Sequence, residues 1–310
     1  MDSLSAAKLL EVWERGAKSV PVGRALLLLG ADDAARSEQL AQLSIGQRDA
    51  RLLELRAQTF GPLLSCLGTC PACRENLEWT LNVTDLLVGE RAAGETPASP
   101  FRGGSTGDPP VPSGDPPDGT GDGSLSIRAR SRSAVASAVP LGESPSGAGG
   151  SPALPTLNTY PAASFRLEWN GYQVTFRLPT GRDLAGLSPN VGLPENRQRL
   201  LEACVLSARR DGADLATHAL PPEVAVAVAR RMAELDPQAD IRLKLDCPQC
   251  GHAWEMAFDI LSFFWAEIRA EALRLLGEVH QLASAYSWRE AEILAMTPQR
   301  RQAYLEMVRA

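Results

Sequence analysis

The sequence contains the same type of four-residue cysteine motif twice. CPAC spans Cys70 to Cys73 and CPQC spans Cys247 to Cys250, with well over a hundred residues between them. A Cys-x-x-Cys turn supplies two thiolates from one tight knuckle, and a structural zinc ion takes four ligands in a tetrahedron. The two motifs together therefore predict one shared structural Zn²⁺ site. Its ligands are Cys70, Cys73, Cys247 and Cys250.

The residues that follow the two motifs also correspond. CPACRENLEWTLNVTDLL and CPQCGHAWEMAFDILSFF align without a gap, and in both the apolar residues recur at every second position. A period of two over this length predicts a strand with one buried face. We therefore expect each knuckle at the tip of a β-hairpin, and a zinc ribbon assembled from two duplicated halves of the chain.

Other uses of the cysteines stay open. A redox Cys-x-x-Cys motif begins a helix after a strand, whereas strands are predicted to follow both motifs here. Two separate metal sites, or a pair that has lost its metal, are further alternatives. His252 is an alternative ligand, although four thiolates already complete the shell. Cys66 and Cys204 are predicted to be core residues.

The charge and hydropathy of the chain argue against several classes of partner. The net charge is −6 over 310 residues and the pI is near 5.3. A nucleic-acid or anionic-membrane partner would need a basic face instead. No apolar run reaches the roughly 18 residues of a membrane span, and the first residues lack a secretory signal pattern. We expect a cytoplasmic bacterial protein without a membrane partner or a small-molecule substrate.

The chain divides into four predicted segments. Residues 91–157 are rich in Gly, Pro and Ser, and such a composition predicts a disordered linker because it cannot bury a core. The other segments are 1–90, with helices and the first knuckle hairpin; 158–261, with a hairpin, helices and the second knuckle hairpin; and 262–310, with helices. The expected fold class is α+β, with two duplicated helix-plus-hairpin halves, the linker between them and a C-terminal helical subdomain.

Three elements of the third segment are predicted in more detail. Residues 165–178 alternate in polarity around Asn170-Gly171, the pattern of a β-hairpin with a tight turn. The sequence LPENRQRLLEACVLSAR, residues 193–209, is predicted to be one helix. PPEVAVAVARRMAELD, residues 221–236, is predicted to be another.

No motif indicates catalysis. The three histidines have no nucleophile partner in a recognisable motif, and there is no phosphate-binding loop. Four thiolates also leave no open position on zinc for a substrate. We therefore predict that the protein is not an enzyme.

Aromatic residues in the C-terminal segment indicate a docking surface. Phe263, Phe264 and Trp265 are consecutive, so they cannot all lie on one side of a helix. At least part of this surface must contact the first half of the chain or a partner. The predicted partner-binding residues are Phe263, Phe264, Trp265 and Tyr304.

The C-terminal sequence resembles a known family. DIRLKLDCPQCGHAWEMAFDILSFFWAEI and LLGEVHQLASAYSWREAEILAMTPQRRQAYLEMV are similar to the T4-type phage baseplate hub assembly chaperone (baseplate protein) family, which also occurs in loci for phage-tail-like contractile injection systems. The resemblance is strongest over residues 160–310 and weaker over 1–90.

The resemblance implies a non-enzymatic assembly chaperone or a structural component of a baseplate. It also implies baseplate or hub proteins as partners, and incorporation into a phage-tail-like particle as a further possibility to test. The alternative function is a zinc-ribbon nucleic-acid-binding or transcription-type adaptor, which the acidic charge disfavours.

Overall fold

The structure is a computed structural model that describes residues 3–30, 34–88, 125–128, 130–131, 163–187 and 190–309. It combines helices with small sheets, as the α+β prediction requires in its general form. Among the described residues, none of the helices combines the length and the apolar character that a membrane span needs.

Four helices and one hairpin make up the N-terminal part. Ser5 and Ser44 cap the first and fourth helices by accepting backbone hydrogen bonds, and Gly61 ends the fourth with a positive φ of 89°. The elements are α1 (Ala6–Gly16), α2 (Pro21–Leu28), α3 (Ala34–Ala41), α4 (Ile45–Phe60), β1 (Leu63–Thr69), β2 (Asn76–Asn82) and α5 (Val83–Leu86).

Two short strands follow within the predicted linker, namely β3 (Leu125–Arg128) and β4 (Arg130–Ser131). β3 pairs in parallel with a strand of the second knuckle hairpin, and β4 pairs antiparallel with β2. The rest of the predicted linker 91–157 lies outside the described residues. The linker was expected to be unpaired, but these six residues form strands. Their backbone groups form hydrogen bonds with the edges of the two hairpins.

A four-stranded antiparallel sheet forms the middle part, in the order β5-β6-β7-β8. The 165–178 hairpin is confirmed: its strands pair from Ser164↔Arg177 to Trp169↔Tyr172. The elements are β5 (Ser164–Trp169), β6 (Tyr172–Arg177), α6 (Gly181–Ala185), α7 (Leu193–Cys204), β7 (Val205–Arg210), β8 (Ala213–Leu215) and α8 (Pro222–Leu235), with single 3₁₀ turns at Thr217–Ala219 and Pro237–Ala239.

The predicted helix over 193–209 is wrong after Cys204. The helix ends at Cys204, and the next six residues form β7, which pairs with β6 and with β8. The turn between β7 and β8 is Asp211-Gly212, with φ values of 49° and 87°. An Asp-Gly pair with positive φ at both positions is a strong hairpin signal, and it overrides the helical pattern of the preceding residues.

The last part contains the second knuckle hairpin and three helices. The elements are β9 (Arg242–Asp246), β10 (Ala253–Ala257), α9 (Ile260–Tyr286), α10 (Glu290–Leu294) and α11 (Pro298–Arg309). A small cluster of Leu282, Ile293 and Leu305 joins the three helices. Beside it, the buried Arg301 donates to Glu278 at 2.9 Å.

The hydrophobic cores divide the chain differently from the predicted segments. The largest core joins α1, α2, α4 and the first hairpin to the second hairpin and α9. A separate core lies between the middle sheet and α8. The second knuckle hairpin therefore packs with the N-terminal part, and not with the remainder of 158–261. The buried leucines of both hairpins, which share one core face, cause this arrangement.

The N-terminal part and the middle part contact each other at the start of α4. Ser44, its N-cap, forms an isolated antiparallel bridge with Thr180, the N-cap of α6. The Gly46 amide donates to the buried Asp236 carboxylate at 2.9 Å. The bridge joins two sequences, SIGQRD and PTGRD, that correspond in the two halves. The duplication itself stays a prediction.

Candidate metal centre

The two cysteine motifs lie at the tips of two β-hairpins, as predicted. β1 and β2 pair from Leu63↔Asn82 to Thr69↔Asn76, so that CPAC forms the connecting turn. β9 and β10 pair from Arg242↔Ala257 to Asp246↔Ala253, with CPQC in the corresponding place. Residues at alternate positions of β1, β2 and β9 are buried in the shared core. In β10 only Trp254 packs against this core, and Met256, on the face predicted to be buried, is exposed. Burial of one face of each hairpin therefore fixes where each tip lies.

The two knuckles have the same backbone hydrogen bonds. In each, the amide of the first cysteine donates to a carbonyl five residues later, and its carbonyl accepts from the amide four residues later. The distances are 2.9 Å for Cys70 N to Glu75 O, 3.0 Å for Arg74 N to Cys70 O, 2.9 Å for Cys247 N to His252 O and 2.9 Å for Gly251 N to Cys247 O. Both turns therefore direct their two thiols in the same way.

The residue after the second cysteine of each knuckle has a left-handed backbone conformation. Its φ is 61° at Arg74 and 71° at Gly251. Glycine adopts this region without a steric penalty, whereas a residue with a Cβ atom is strained there by about 1–2 kcal/mol. The first knuckle therefore carries strain that the second does not.

Arg74→Gly is expected to stabilise the protein by about 0.5–1 kcal/mol, because it removes this strain while adding some freedom to the unfolded chain. Gly251→Ala is expected to destabilise it by about 1 kcal/mol. Urea unfolding of metal-loaded protein measures both changes. Arg74→Ala is the matched control, since it removes the charge but keeps the strain, and it should give no gain. Equal stability of the Gly and Ala variants at position 74 would contradict this account.

The four thiols converge on one point. All four sulfur atoms lie within 4.8 Å of one another. Across the two knuckles, the sulfurs of Cys70 and Cys250 are 3.7 Å apart and those of Cys73 and Cys247 are 3.6 Å apart. Sulfurs bound at about 2.3 Å to one tetrahedral zinc ion are about 3.8 Å apart. The four residues thus fit the ligand set of a single metal ion, and the residues predicted to meet do so.

The thiols are free and not joined as disulfides. A disulfide would hold two sulfurs about 2.05 Å apart, much closer than the two contacts across the knuckles. Cys70 and Cys247 are buried, whereas Cys73 and Cys250 are exposed. One cysteine of each knuckle therefore faces the core, and the other lies at the surface.

The close approach of the four thiols shifts their pKa values in different directions. Burial opposes ionisation of Cys70, but the amides of Cys73 and Ala72 donate to its sulfur and lower its pKa to about 7. The Glu75 amide favours the Cys73 thiolate, yet partial desolvation and the neighbouring thiols outweigh it and raise the pKa of Cys73 to about 12. Four negative charges cannot share this volume without a cation. A bound divalent cation would neutralise them and displace the remaining protons.

The remaining cysteines and His252 lie outside this set of ligands. Cys66 belongs to the largest core and Cys204 to the core of the middle sheet, which confirms both as core residues. Burial raises the pKa of each of these two thiols to about 11. His252 stacks on Trp254, with ring centroids 6.0 Å apart.

The structure separates the predicted partner-binding aromatic residues. Phe264 is fully buried in the largest core, with its ring 6.0 Å from that of Phe60. The prediction that it binds a partner is therefore wrong for this fold, because the N-terminal helices cover that side of α9. Phe263 and Trp265 are half-buried, and Trp265 packs on Gly16 beneath the Arg24 guanidinium at 4.9 Å.

Tyr304 remains accessible to a partner. It is half-buried in an aromatic cluster, where its ring centroid lies 5.7 Å from that of Tyr286 and 4.8 Å from that of Trp288. The Arg300 guanidinium lies 5.7 Å from the Tyr304 ring centroid. The cluster thus presents an amphipathic aromatic surface at the end of the C-terminal helices.

Sequence reasoning missed the segment that lies beside the knuckles. Arg128 in β3 pairs with Asp246, the residue directly before Cys247. The available signal was the alternation of Leu125 and Ile127 in a sequence otherwise poor in apolar residues. Comparison with known proteins adds no further assignment, since no family model, curated protein or solved structure matches the chain.

Proposed function

We propose that the protein is a non-enzymatic assembly chaperone or structural component of the baseplate of a phage tail or phage-tail-like contractile injection system, stabilised by a structural zinc ion. The resemblance of residues 160–310 to the baseplate hub chaperone family supports the baseplate part. The convergence of four thiols from two hairpins far apart in sequence supports the proposed structural zinc ion.

Zinc is the proposed metal because of the ligand type and spacing. Sets of four thiolates select zinc or iron–sulfur chemistry. The sulfur separations of 3.6 and 3.7 Å suit a single ion better than a cluster, whose several metal atoms would hold the thiolates further apart. A shell of four thiolates leaves no coordination position for a substrate. The metal would therefore hold the two hairpins together without binding a substrate. This structural task supports a non-enzymatic role.

The charges around the knuckles favour a protein partner over a nucleic acid. Arg74 is accompanied by Glu75 and by Asp246 on the other knuckle. The nearby Lys244 forms an ion pair with Glu255 at 3.6 Å. A ribbon that binds nucleic acid needs an excess of basic groups to neutralise phosphates. Among the described residues, the charged groups around the knuckles are of both signs and not in basic excess, which disfavours the adaptor alternative.

Affinity capture tests the proposed function. The tagged full-length chain would be co-expressed with sheath, tube, hub and spike proteins of the same locus, and captured partners identified by mass spectrometry. We expect a hub or baseplate protein to be retained. Probing purified particles for the chain then separates a resident subunit, which is present, from a chaperone, which is absent.

Tyr304→Ala is expected to weaken this capture, because Tyr304 lies in the half-exposed aromatic cluster. Gln302→Ala, an exposed position on the same helix, is the matched control and should not. Failure to retain any baseplate component, together with absence from particles, would refute the proposed function.

A further inference from the structure

A short segment of the chain lies between the two knuckle hairpins. β3 pairs with β9, and β4 pairs with β2. Only Ala129 separates β3 from β4, so the segment passes from the edge of one hairpin to the edge of the other. Without this bridging segment (125–128 and 130–131), the β2 and β9 edges would present unpaired backbone donors and acceptors.

The register places apolar residues opposite apolar residues. Leu125 pairs with Leu243, and Ile127 pairs with Leu245. Leu243 and Leu245 are among the most completely buried residues of the largest core. Paired residues of adjacent strands share one face of the sheet, so the segment has its apolar positions on the core face of β9.

The register also places opposite charges together. Arg128 pairs with Asp246 in β9, and Arg130 pairs with Glu78 in β2. Directly opposed charges of unlike sign stabilise a pair of strands, and like charges destabilise it. The two edges therefore favour an extended segment with a particular pattern. Two apolar residues separated by one residue come first, and two basic residues separated by one residue follow. LSIRARS has this pattern.

The bridging segment is connected differently from the other strands. β1 and β2, like β9 and β10, are joined by the short cysteine turns. Long sequences rich in Gly, Pro and Ser connect the bridging segment to the strands that it contacts. A peptide tethered to its own site competes with a free ligand through an effective concentration, which is millimolar for short flexible linkers and falls as the linker lengthens.

We propose that the edges of β2 and β9 form a strand-acceptor site. The chain's own bridging segment fills it in the free protein, and an extended segment of a partner protein with the same apolar and basic pattern takes its place. Addition of a strand to open sheet edges is an established mode of peptide binding. The proposal goes beyond the baseplate function and depends neither on it nor on the identity of the metal.

The test uses the full-length chain with protease recognition sites inserted near residues 105 and 145. After cleavage, the released fragment should stay with the two larger pieces through gel filtration, because strand pairing holds it. A fluorescein-labelled peptide of residues 123–133 should then bind the cleaved protein saturably and displace the fragment. It should bind the uncleaved chain at least about tenfold more weakly, because the tethered segment competes.

Variants of the peptide distinguish sequence-specific strand pairing from non-specific binding. Exchange of Arg128 and Arg130 for Glu should weaken binding by about tenfold or more, because both then oppose carboxylates. The matched control, Arg132→Glu, changes a charge beyond the strand pairs that the structure describes and should bind like the parent peptide.

Three results would overturn the proposal. The first is a fragment that elutes separately on cleavage while the labelled peptide fails to bind. A second is equal binding of the peptide to cleaved and uncleaved protein. The third is dimerisation of the uncleaved chain that Arg128→Glu with Arg130→Glu abolishes, because a second copy would then fill the site.

Discussion

Purified protein is expected to contain about one zinc ion per chain, held by all four knuckle thiolates. The reason is geometric, since four sulfurs within 4.8 Å of one another surround one ion and leave no space for a second. Elemental analysis by mass spectrometry measures the ratio directly. Competition with a chromogenic chelator then gives the affinity, which should fall at lower pH because protons compete for the thiolates.

Loss of either cysteine pair should abolish this binding. The two variants are Cys70→Ser with Cys73→Ser, and Cys247→Ser with Cys250→Ser. Two thiolates rarely hold structural zinc, and a structural site contributes roughly 10–16 kcal/mol in zinc-finger peptides. We therefore expect each variant to lose most of its stability in the largest core. Since Trp79 and Trp254 both pack into that core, their fluorescence should change together in both variants.

Single substitutions of the other cysteines are the matched controls. Cys66→Ser and Cys204→Ser should keep one zinc per chain, because neither thiol is among the four that converge. Their expected cost is about 1–3 kcal/mol, from a hydroxyl placed in an apolar site. Two zinc ions per chain, or one zinc that survives loss of an entire pair, would mean that the knuckles bind metal separately.

The convergence of the four cysteines was predictable because the signal for each knuckle is local. Each knuckle needs only a tight turn between two short strands, and Cys-Pro-x-Cys between alternating apolar residues contains that information. A tetrahedral ion then requires that two such pairs meet, whatever their separation in the chain. The ligand chemistry itself thus supplied the one long-range contact that the sequence predicted correctly.

The strand pairings of β7 and β3 had no such local signal in the sequence. The sequence 193–209 has helical spacing throughout, yet Val205–Arg210 forms a strand because β6 and β8 offer it hydrogen-bonding partners on both sides. Strand preference depends on such neighbours more than on the residues themselves. Similarly, Leu125–Arg128 becomes a strand only because the β9 edge is next to it.

The same reasoning explains the three consecutive aromatic residues of α9. Periodicity shows that they point in different directions, but only the packed structure shows what each one meets. Phe264 faces the N-terminal helices and is fully buried. Phe263 lies between Phe258 and Arg56, with ring centroids 5.6 Å apart in the first case and the guanidinium 5.9 Å away in the second. One motif therefore contains a core residue and two boundary residues.

Phe264→Ala is accordingly expected to destabilise the protein by about 3–5 kcal/mol, the usual cost of emptying a well-packed phenylalanine site. Phe264→Leu should cost clearly less, because it leaves a smaller cavity. Leu273→Ala is the matched control on the same helix: this side chain is 54% exposed, so we expect a change within about 0.5 kcal/mol. Urea unfolding of the metal-loaded protein measures all three. If Phe264→Ala kept nearly full stability but lost capture of the baseplate partner, the partner-binding role predicted from the sequence would be restored and the packing described here would be wrong.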